Sequence, residues 1–104
     1  MANARIAALE QMLVTDPTDT TAHYMLGLEY FKAQMYAEAA ATLRHYLSLV
    51  DDEGAVYRTL AHSLERLGRT DEAREAYRRG LEAATRHRHQ PMIEEYTQAL
   101  RDLA

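Results

Sequence analysis

Apolar and small residues recur along the chain with the spacing of a helix face, in pairs of segments separated by a short break. Steps of three and four residues place side chains on the same side of an α-helix. The positions are His23, Leu26, Gly27 and Tyr30 in the first segment and Ala39, Leu43, Tyr46 and Leu47 in the second. A break near Gln34 and Met35 separates them. The pattern therefore predicts two helices joined by a short turn.

The same pattern returns 34 residues later. When residues 20–53 are laid over residues 54–87, identical or similar side chains fall on the same helix faces. The period also extends toward the amino terminus, in the series Leu9, Leu43 and Tyr77 and the series Leu13, Leu47 and Leu81. A fixed period of this length indicates stacked supersecondary units rather than a single irregular bundle.

The period divides the chain, taken as one domain over residues 1–104, into four parts. We expect an amino-terminal half repeat over residues 3–16, complete repeats over residues 20–53 and 54–87, and a capping helix over residues 90–103. The expected fold class is all-α, an α-solenoid of stacked antiparallel helix hairpins with about six helices.

The capping helix is out of register with the two complete repeats. Ile93, Tyr96, Thr97 and Leu100 would form a first-helix face if the loop before them carried two extra residues. The opposite face is polar, as the exposed side of a terminal helix should be. It consists of Glu94, Glu95, Gln98, Arg101 and Asp102.

Two local signals support the hairpin interpretation. Gly68 suits the left-handed residue that ends a helix, and Thr70 suits the cap that begins the next one. Small residues recur where two helices would approach closely, and a bulky residue at Ala39 or Ala73 should overpack the interface. The small residues are Gly27, Ala39, Ala61 and Ala73.

A 34-residue helix–turn–helix unit with this distribution of side chains resembles the tetratricopeptide repeat family. The resemblance covers residues 5–87 and departs from the family pattern at Gln34, where Gly is usual, and at Asp51, where Pro is usual. It implies a right-handed superhelix in which the first helix of each repeat lines a concave surface. The matching positions are His23, Leu26, Gly27, Tyr30, Ala39, Leu43 and Tyr46 in the first unit and Tyr57, Leu60, Ala61, Leu64, Gly68, Ala73, Tyr77 and Gly80 in the second.

Seven side chains on the first helices are candidate peptide-binding residues on that concave surface. Three of those in the first repeat, all but the lysine, form a second apolar stripe distinct from that of Leu26 and Tyr30. Those of the second repeat form a basic strip with one residue per turn. An arginine strip favours an acidic ligand, because the guanidinium fork pairs bidentately with a carboxylate. The seven residues are Tyr24, Leu28, Phe31, Lys32, Arg58, His62 and Arg66.

Both stripes are also compatible with a purely structural role. The apolar stripe could pack against the amino-terminal helix or beneath the capping helix, and the basic strip, together with Glu65, could be a solvated helix face. The basic segment from Arg78 to His89 could contact RNA or an acidic partner, but Glu75 and Glu82 interrupt it, and a solvated helix end is the favoured explanation.

Composition excludes several classes of function. A net charge of −4 disfavours nucleic acid as a partner, and no apolar run is long enough to span a membrane. The start of the chain, Met1 to Arg5, lacks the order of a signal peptide, so we expect a cytoplasmic protein. No metal or cofactor is expected, because His87 and His89 lie among arginines and no phosphate-binding loop is present.

Catalysis is not expected either. Ser48 and Ser63 are the only serines, no Gly-rich loop is present, and the acidic run from Asp51 to Glu53 is better explained as a helix-capping loop. The sequence therefore favours a protein–protein interaction module, an adaptor that binds a peptide or helix of another protein. The alternative is a structural protein that self-associates, for example as a homodimer that buries Tyr24 and Phe31.

Overall fold

The computed structural model describes residues 3–104, which contain six α-helices and no strand. This confirms the expected all-α fold of stacked helices. The helices are α1 (Ala4–Thr15), α2 (Thr20–Lys32), α3 (Tyr36–Leu49), α4 (Ala55–Arg66), α5 (Thr70–Arg86) and α6 (Gln90–Asp102). The first two residues of the proposed domain lie outside the described range.

Each helix packs mainly on its neighbours in the chain. The most extensive contacts join α2 to α3 and α4 to α5, and further contacts join α1 to α2, α3 to α4 and α5 to α6. Helices that touch mainly their sequence neighbours form a solenoid, in which each interface stabilises the next. The helices α2 and α4, which are the first helices of the two complete repeats, also contact each other. Their exposed faces therefore lie side by side.

Three turns share one backbone geometry, with a single residue in the left-handed region. Gly68 has φ +75°, as predicted, whereas Gln34 and Arg88 adopt φ +62° and +55° without being glycine. In the first turn, Gln34 N donates to Phe31 O and Met35 N donates to Tyr30 O, and the other two turns repeat this pair of bonds. Gln34 therefore takes the place of the family's Gly without a change of turn.

The helix starts differ from one another. Asn3 and Asp19 cap α1 and α2, each accepting backbone N–H groups with its side chain. The predicted cap at Thr70 is wrong by one position. The helix α5 already includes Thr70, and Arg69 occupies the cap position without a side-chain hydrogen bond.

The small residues lie where the helices approach most closely. Ala39, Ala61 and Ala73 are completely buried. A Cβ placed on Gly27 would lie 2.3 Å from Leu43 Cδ2 and 2.7 Å from Leu43 Cγ, far inside van der Waals contact. A side chain larger than hydrogen at Gly27 would therefore overpack this interface.

The buried side chains divide into two clusters. The amino-terminal cluster joins α1, α2 and the start of α3, and consists of Ile6, Leu9, Leu26, Tyr30 and Ala39. The carboxy-terminal cluster spans α3 to α6 and includes Leu43, Leu60, Leu64, Tyr77 and Tyr96. Leu13, Leu47 and Leu81, which are 34 residues apart, are all half-buried at the edges of these clusters.

The register shift before α6 has a different origin from the one expected. No longer loop is present. Instead α5 has 17 residues, three more than the 14 of α3, and a three-residue turn over residues 87–89 follows it. The buried Tyr96 then packs against Gly80, and its hydroxyl donates a hydrogen bond to Gly54 O.

The expected polar outer face of α6 needs one correction. Glu94, Gln98, Arg101 and Asp102 are exposed, but Glu95 turns toward α4 and forms an ion pair with Arg58. Glu95 therefore belongs to the interface between two helices and not to the solvent face.

Candidate functional site

An open groove lies between the last turns of α2 and α4. It has a volume of about 320 Å³ and is lined by Phe31 from α2 and by His62, Glu65 and Arg66 from α4. Three of these residues, Phe31, His62 and Arg66, are among the seven predicted from the sequence. We call this surface the α2–α4 groove. It combines one aromatic ring with two nitrogen-bearing side chains that can donate hydrogen bonds.

Aromatic contacts fix the walls of the α2–α4 groove. The rings of Phe31 and Tyr36 meet edge to face with centroids 5.6 Å apart, and the Arg66 guanidinium carbon lies 5.8 Å from the centroid of the Tyr36 ring. On the other side, His62 meets Tyr77 with centroids 6.3 Å apart. A cation near an aromatic face is attracted by the ring quadrupole, so Tyr36 helps to orient Arg66.

The α2–α4 groove contains one acidic and one basic side chain, Glu65 and Arg66, which are held differently. The Tyr77 hydroxyl donates a hydrogen bond to the Glu65 carboxylate. Burial, and after it this hydrogen bond, raises the pKa of Tyr77 above its ordinary value. Lys32, at the edge of α2, lies 3.5 Å from Glu29, which also pairs with Arg5 at 2.9 Å. The carboxylates near the groove are therefore engaged within the chain, whereas Arg66 makes no ion pair among the described residues.

The upper part of α2 carries two more of the predicted residues. Tyr24 remains 38% exposed and packs against Tyr46 of α3 with ring centroids 5.6 Å apart. Leu28 is half-buried. The apolar stripe therefore rests on α3 at Tyr24 and at Phe31, and its outer side is accessible.

Arg58 begins the basic strip at the opposite end of α4 from the groove. Its guanidinium makes two hydrogen bonds to the Glu95 carboxylate, one of which joins Nη2 to Oε1 at 2.6 Å. This pairing holds the pKa of Glu95 below its usual value, mainly through the hydrogen bond, and raises the pKa of Arg58. The strip of Arg58, His62 and Arg66 thus runs from α6 to the α2–α4 groove.

Comparison with known proteins identifies the architecture. The sequence profile described as tetratricopeptide repeat matches residues 1–84. The chain belongs to the tetratricopeptide repeat family. The comparison with curated proteins found no match.

Two solved structures share the tetratricopeptide repeat architecture of this chain. The solution structure of protein BPP2914 from Bordetella parapertussis is 26% identical, with a TM-score of 0.78, and the alignment covers 99% of this chain and 89% of that one. The structure described as MamA MSR-1 C2 is 22% identical, with a TM-score of 0.69, and the alignment covers 94% of this chain and 63% of that one. The second similarity supports the fold alone.

A second cavity lies on the other side of the tetratricopeptide repeats, between α3 and α5. It measures about 370 Å³, and its apolar lining includes Leu47, Leu60 and Ala76. At its rim, Arg44 Nη2 lies 2.8 Å from Glu72 Oε1. None of the seven candidate residues predicted from the sequence lines this cavity. Its only signal was the recurrence of Glu38 as Glu72 and of Arg44 as Arg78 at the repeat distance.

Sequence reasoning also missed the supporting side chains of the groove. Tyr36 lies in the first turn of α3, and its contact with Arg66 crosses from one repeat to the next. Glu95 lies 37 residues beyond Arg58 and therefore off the repeat distance. A periodic pattern carries no signal for either contact.

The basic segment near the end of α5 is largely paired with acidic groups. Arg86 and His87 lie 2.7 Å and 3.3 Å from Asp51, and Arg78 and Arg79 lie within hydrogen-bond distance of Glu75. Across the described part of the chain, no group of three His, Asp or Glu side chains is placed to hold a metal ion. Nor does any helix within residues 3–104 have the length and apolar character needed to cross a bilayer.

Proposed function

We propose that this chain is a protein–protein interaction module that binds a peptide or helix of a partner in the α2–α4 groove. The observation that carries the proposal is the meeting of Phe31, His62 and Arg66 in one open groove between the first helices of two successive repeats. Membership of the tetratricopeptide repeat family supports it, because this family generally provides protein-binding modules.

The chemistry of the groove favours a partner segment that is both apolar and acidic. Phe31 and the stripe with Leu28 and Tyr24 can cover apolar side chains, and Arg66 and Lys32 can pair with carboxylates. Glu29 pairs with Arg5 and the Glu65 carboxylate is held by the Tyr77 hydroxyl, so neither forms an ion pair with Arg66. An apolar stripe beside a basic strip is the kind of surface that recognises an amphipathic segment.

A selection experiment tests this function and requires no natural partner. A random peptide library is selected against the chain, and the enriched peptides are measured against the double variant His62→Ala and Arg66→Ala. Both residues are exposed, so the variant should keep its helicity. We expect enrichment of acidic, apolar peptides and about a tenfold or greater loss of affinity in the variant, since a hydrogen bond to a charged group is typically worth about 1.5–3 kcal/mol.

The matched control is Arg78→Ala, which removes an exposed arginine from α5, away from the α2–α4 groove. It lowers the net charge by one unit, as does the loss of Arg66. If the control and the double variant lose affinity equally, general charge attraction and not the groove explains the binding, and the proposed site is wrong.

The second candidate function is self-association, which the exposed apolar residues near the end of α1 favour. Val14 is 74% exposed and Met12 is 46% exposed on this helix. Exposed apolar side chains on one helix can form an interface between copies of a chain. Light scattering at increasing concentration should then show a rise in mass that Val14→Lys suppresses, whereas a constant mass contradicts this candidate.

A further inference from the structure

The Arg58–Glu95 pair has the geometry of a ligand contact. Two guanidinium nitrogens of Arg58 reach the two carboxylate oxygens of Glu95, which is the bidentate arrangement that arginine makes with a bound carboxylate. Both side chains keep 38% of their surface exposed to solvent. The Arg58–Glu95 pair therefore lies at the α6 end of the strip of Arg58, His62 and Arg66. Solvent can reach this pair.

Glu95 is not needed to hold α6 in place. Tyr96 is completely buried against Gly80, and Met92 is buried one turn earlier, so the apolar face of α6 anchors the helix independently. The Tyr96 hydroxyl adds a hydrogen bond to Gly54 O. Release of the Glu95 side chain would then leave α6 packed on α5, at the cost of one half-exposed ion pair.

We propose that Glu95 is an internal substitute for the partner, and that an acidic side chain of the bound segment displaces it from Arg58. This inference rests on the proposed function and deepens it, because it assigns a carboxylate-binding point to the strip and names its competitor. Arg58 lies on the same helix face as His62 and Arg66, two turns before Arg66, so one peptide can contact the α2–α4 groove and Arg58 together.

The test compares Glu95→Gln with Glu94→Gln, which makes the same change of charge one residue away. Glu94 is exposed and lies near Gln90 and not near Arg58. The probe is a fluorescently labelled peptide of alternating glutamate and leucine, and the same peptide with glutamine in place of glutamate measures binding without carboxylates. Affinity is read from fluorescence anisotropy.

We expect Glu95→Gln to bind the acidic peptide about two- to fivefold more tightly than both the unaltered chain and Glu94→Gln, since an exposed ion pair competes by this amount. The glutamine peptide should show no such gain. The gain should also disappear when Arg58→Gln is added to Glu95→Gln, because Arg58 is the group that was freed. A purely structural role of the pair would instead reduce or leave unchanged the affinity of Glu95→Gln.

Equal affinities of Glu95→Gln and Glu94→Gln would overturn the inference and leave the proposed function intact. Lack of acidic-peptide binding by all variants, including the one with Arg58 released, would overturn both. Far-ultraviolet circular dichroism of each variant confirms that the helices are retained in every comparison.

Discussion

The contact between Gly27 and Leu43 makes the stability of the first hairpin depend on two residues jointly. Replacement of glycine by alanine in a helix interior is normally stabilising by about 1 kcal/mol, because glycine has more freedom to lose on folding. Here the added methyl group would lie 2.3 Å from Leu43 Cδ2, and Leu43 is completely buried, so it has no free space to occupy. Overpacking of this kind costs about 1–3 kcal/mol.

The two effects oppose each other, and overpacking should prevail in the unaltered background. We expect Gly27→Ala to lower the free energy of unfolding by about 0–2 kcal/mol, the difference between the overpacking cost and the helix-propensity gain. Leu43→Ala alone should lower it by about 2–5 kcal/mol through the cavity that it leaves. In that background the methyl group meets no leucine, so Gly27→Ala should become stabilising by about 1 kcal/mol.

Urea unfolding of the four chains, followed by far-ultraviolet circular dichroism, measures the coupling directly. The expected coupling energy is about 1–3 kcal/mol, within the range for residues in contact. If Gly27→Ala has the same effect with and without Leu43, or if it stabilises the unaltered chain, the close packing of α2 against α3 is not what selects glycine at this position.

Three further predictions concern the buried hydroxyl groups and the turns. Tyr96→Phe should lower the free energy of unfolding by about 0.5–1.5 kcal/mol, because it removes one of the two hydrogen bonds that Gly54 O accepts and leaves the one from Tyr57 N, and urea unfolding measures this. Burial raises the pKa of Tyr96 to about 12 from an ordinary value of 10.0, so the stability that its neutral hydroxyl contributes is complete below pH 10 and is lost as the pH rises toward 12. The tyrosinate absorbance of the folded chain should therefore appear at a higher pH than that of the urea-unfolded chain. Titrations that coincide would contradict the burial of Tyr96. Gly68→Ala should lower the free energy of unfolding by about 1 kcal/mol through its φ of +75° alone, because no atom lies within 4 Å of the added Cβ. Gln34→Gly, at φ +62°, should leave the free energy of unfolding unchanged or raise it slightly. Thermal unfolding compares the two variants.

Much of the fold was predictable from the sequence because a stacked array repeats its requirements. The small residues at Ala39 and Ala73 and the leucines at 13, 47 and 81 recur every 34 positions, since each hairpin meets the same neighbours. The turn at Gln34 was harder to predict. Its left-handed geometry depends on hydrogen bonds to Tyr30 and Phe31 that any residue can make, so the absence of glycine did not change it.

The candidate site was only partly predictable, for a related reason. Helix spacing placed Phe31, His62 and Arg66 on the faces that form the groove, but it could not show that Arg58 meets Glu95. That contact depends on how far α5 extends before α6 begins, and α5 is three residues longer than α3. The length of α5 therefore determines that Glu95 of α6 meets Arg58 of α4.

The buried side chains form two separate clusters, so the chain has an internal boundary between its amino-terminal and carboxy-terminal helices. The amino-terminal cluster holds five buried residues among those described, against twelve in the carboxy-terminal cluster, so α1 and α2 should open and close more readily than α4 to α6. The α2–α4 groove crosses this boundary, since Phe31 packs on the smaller cluster and Arg66 belongs to a helix of the larger one. A bound segment would therefore hold the two clusters together and slow amide hydrogen exchange in α1, a helix that contributes no residue to the groove.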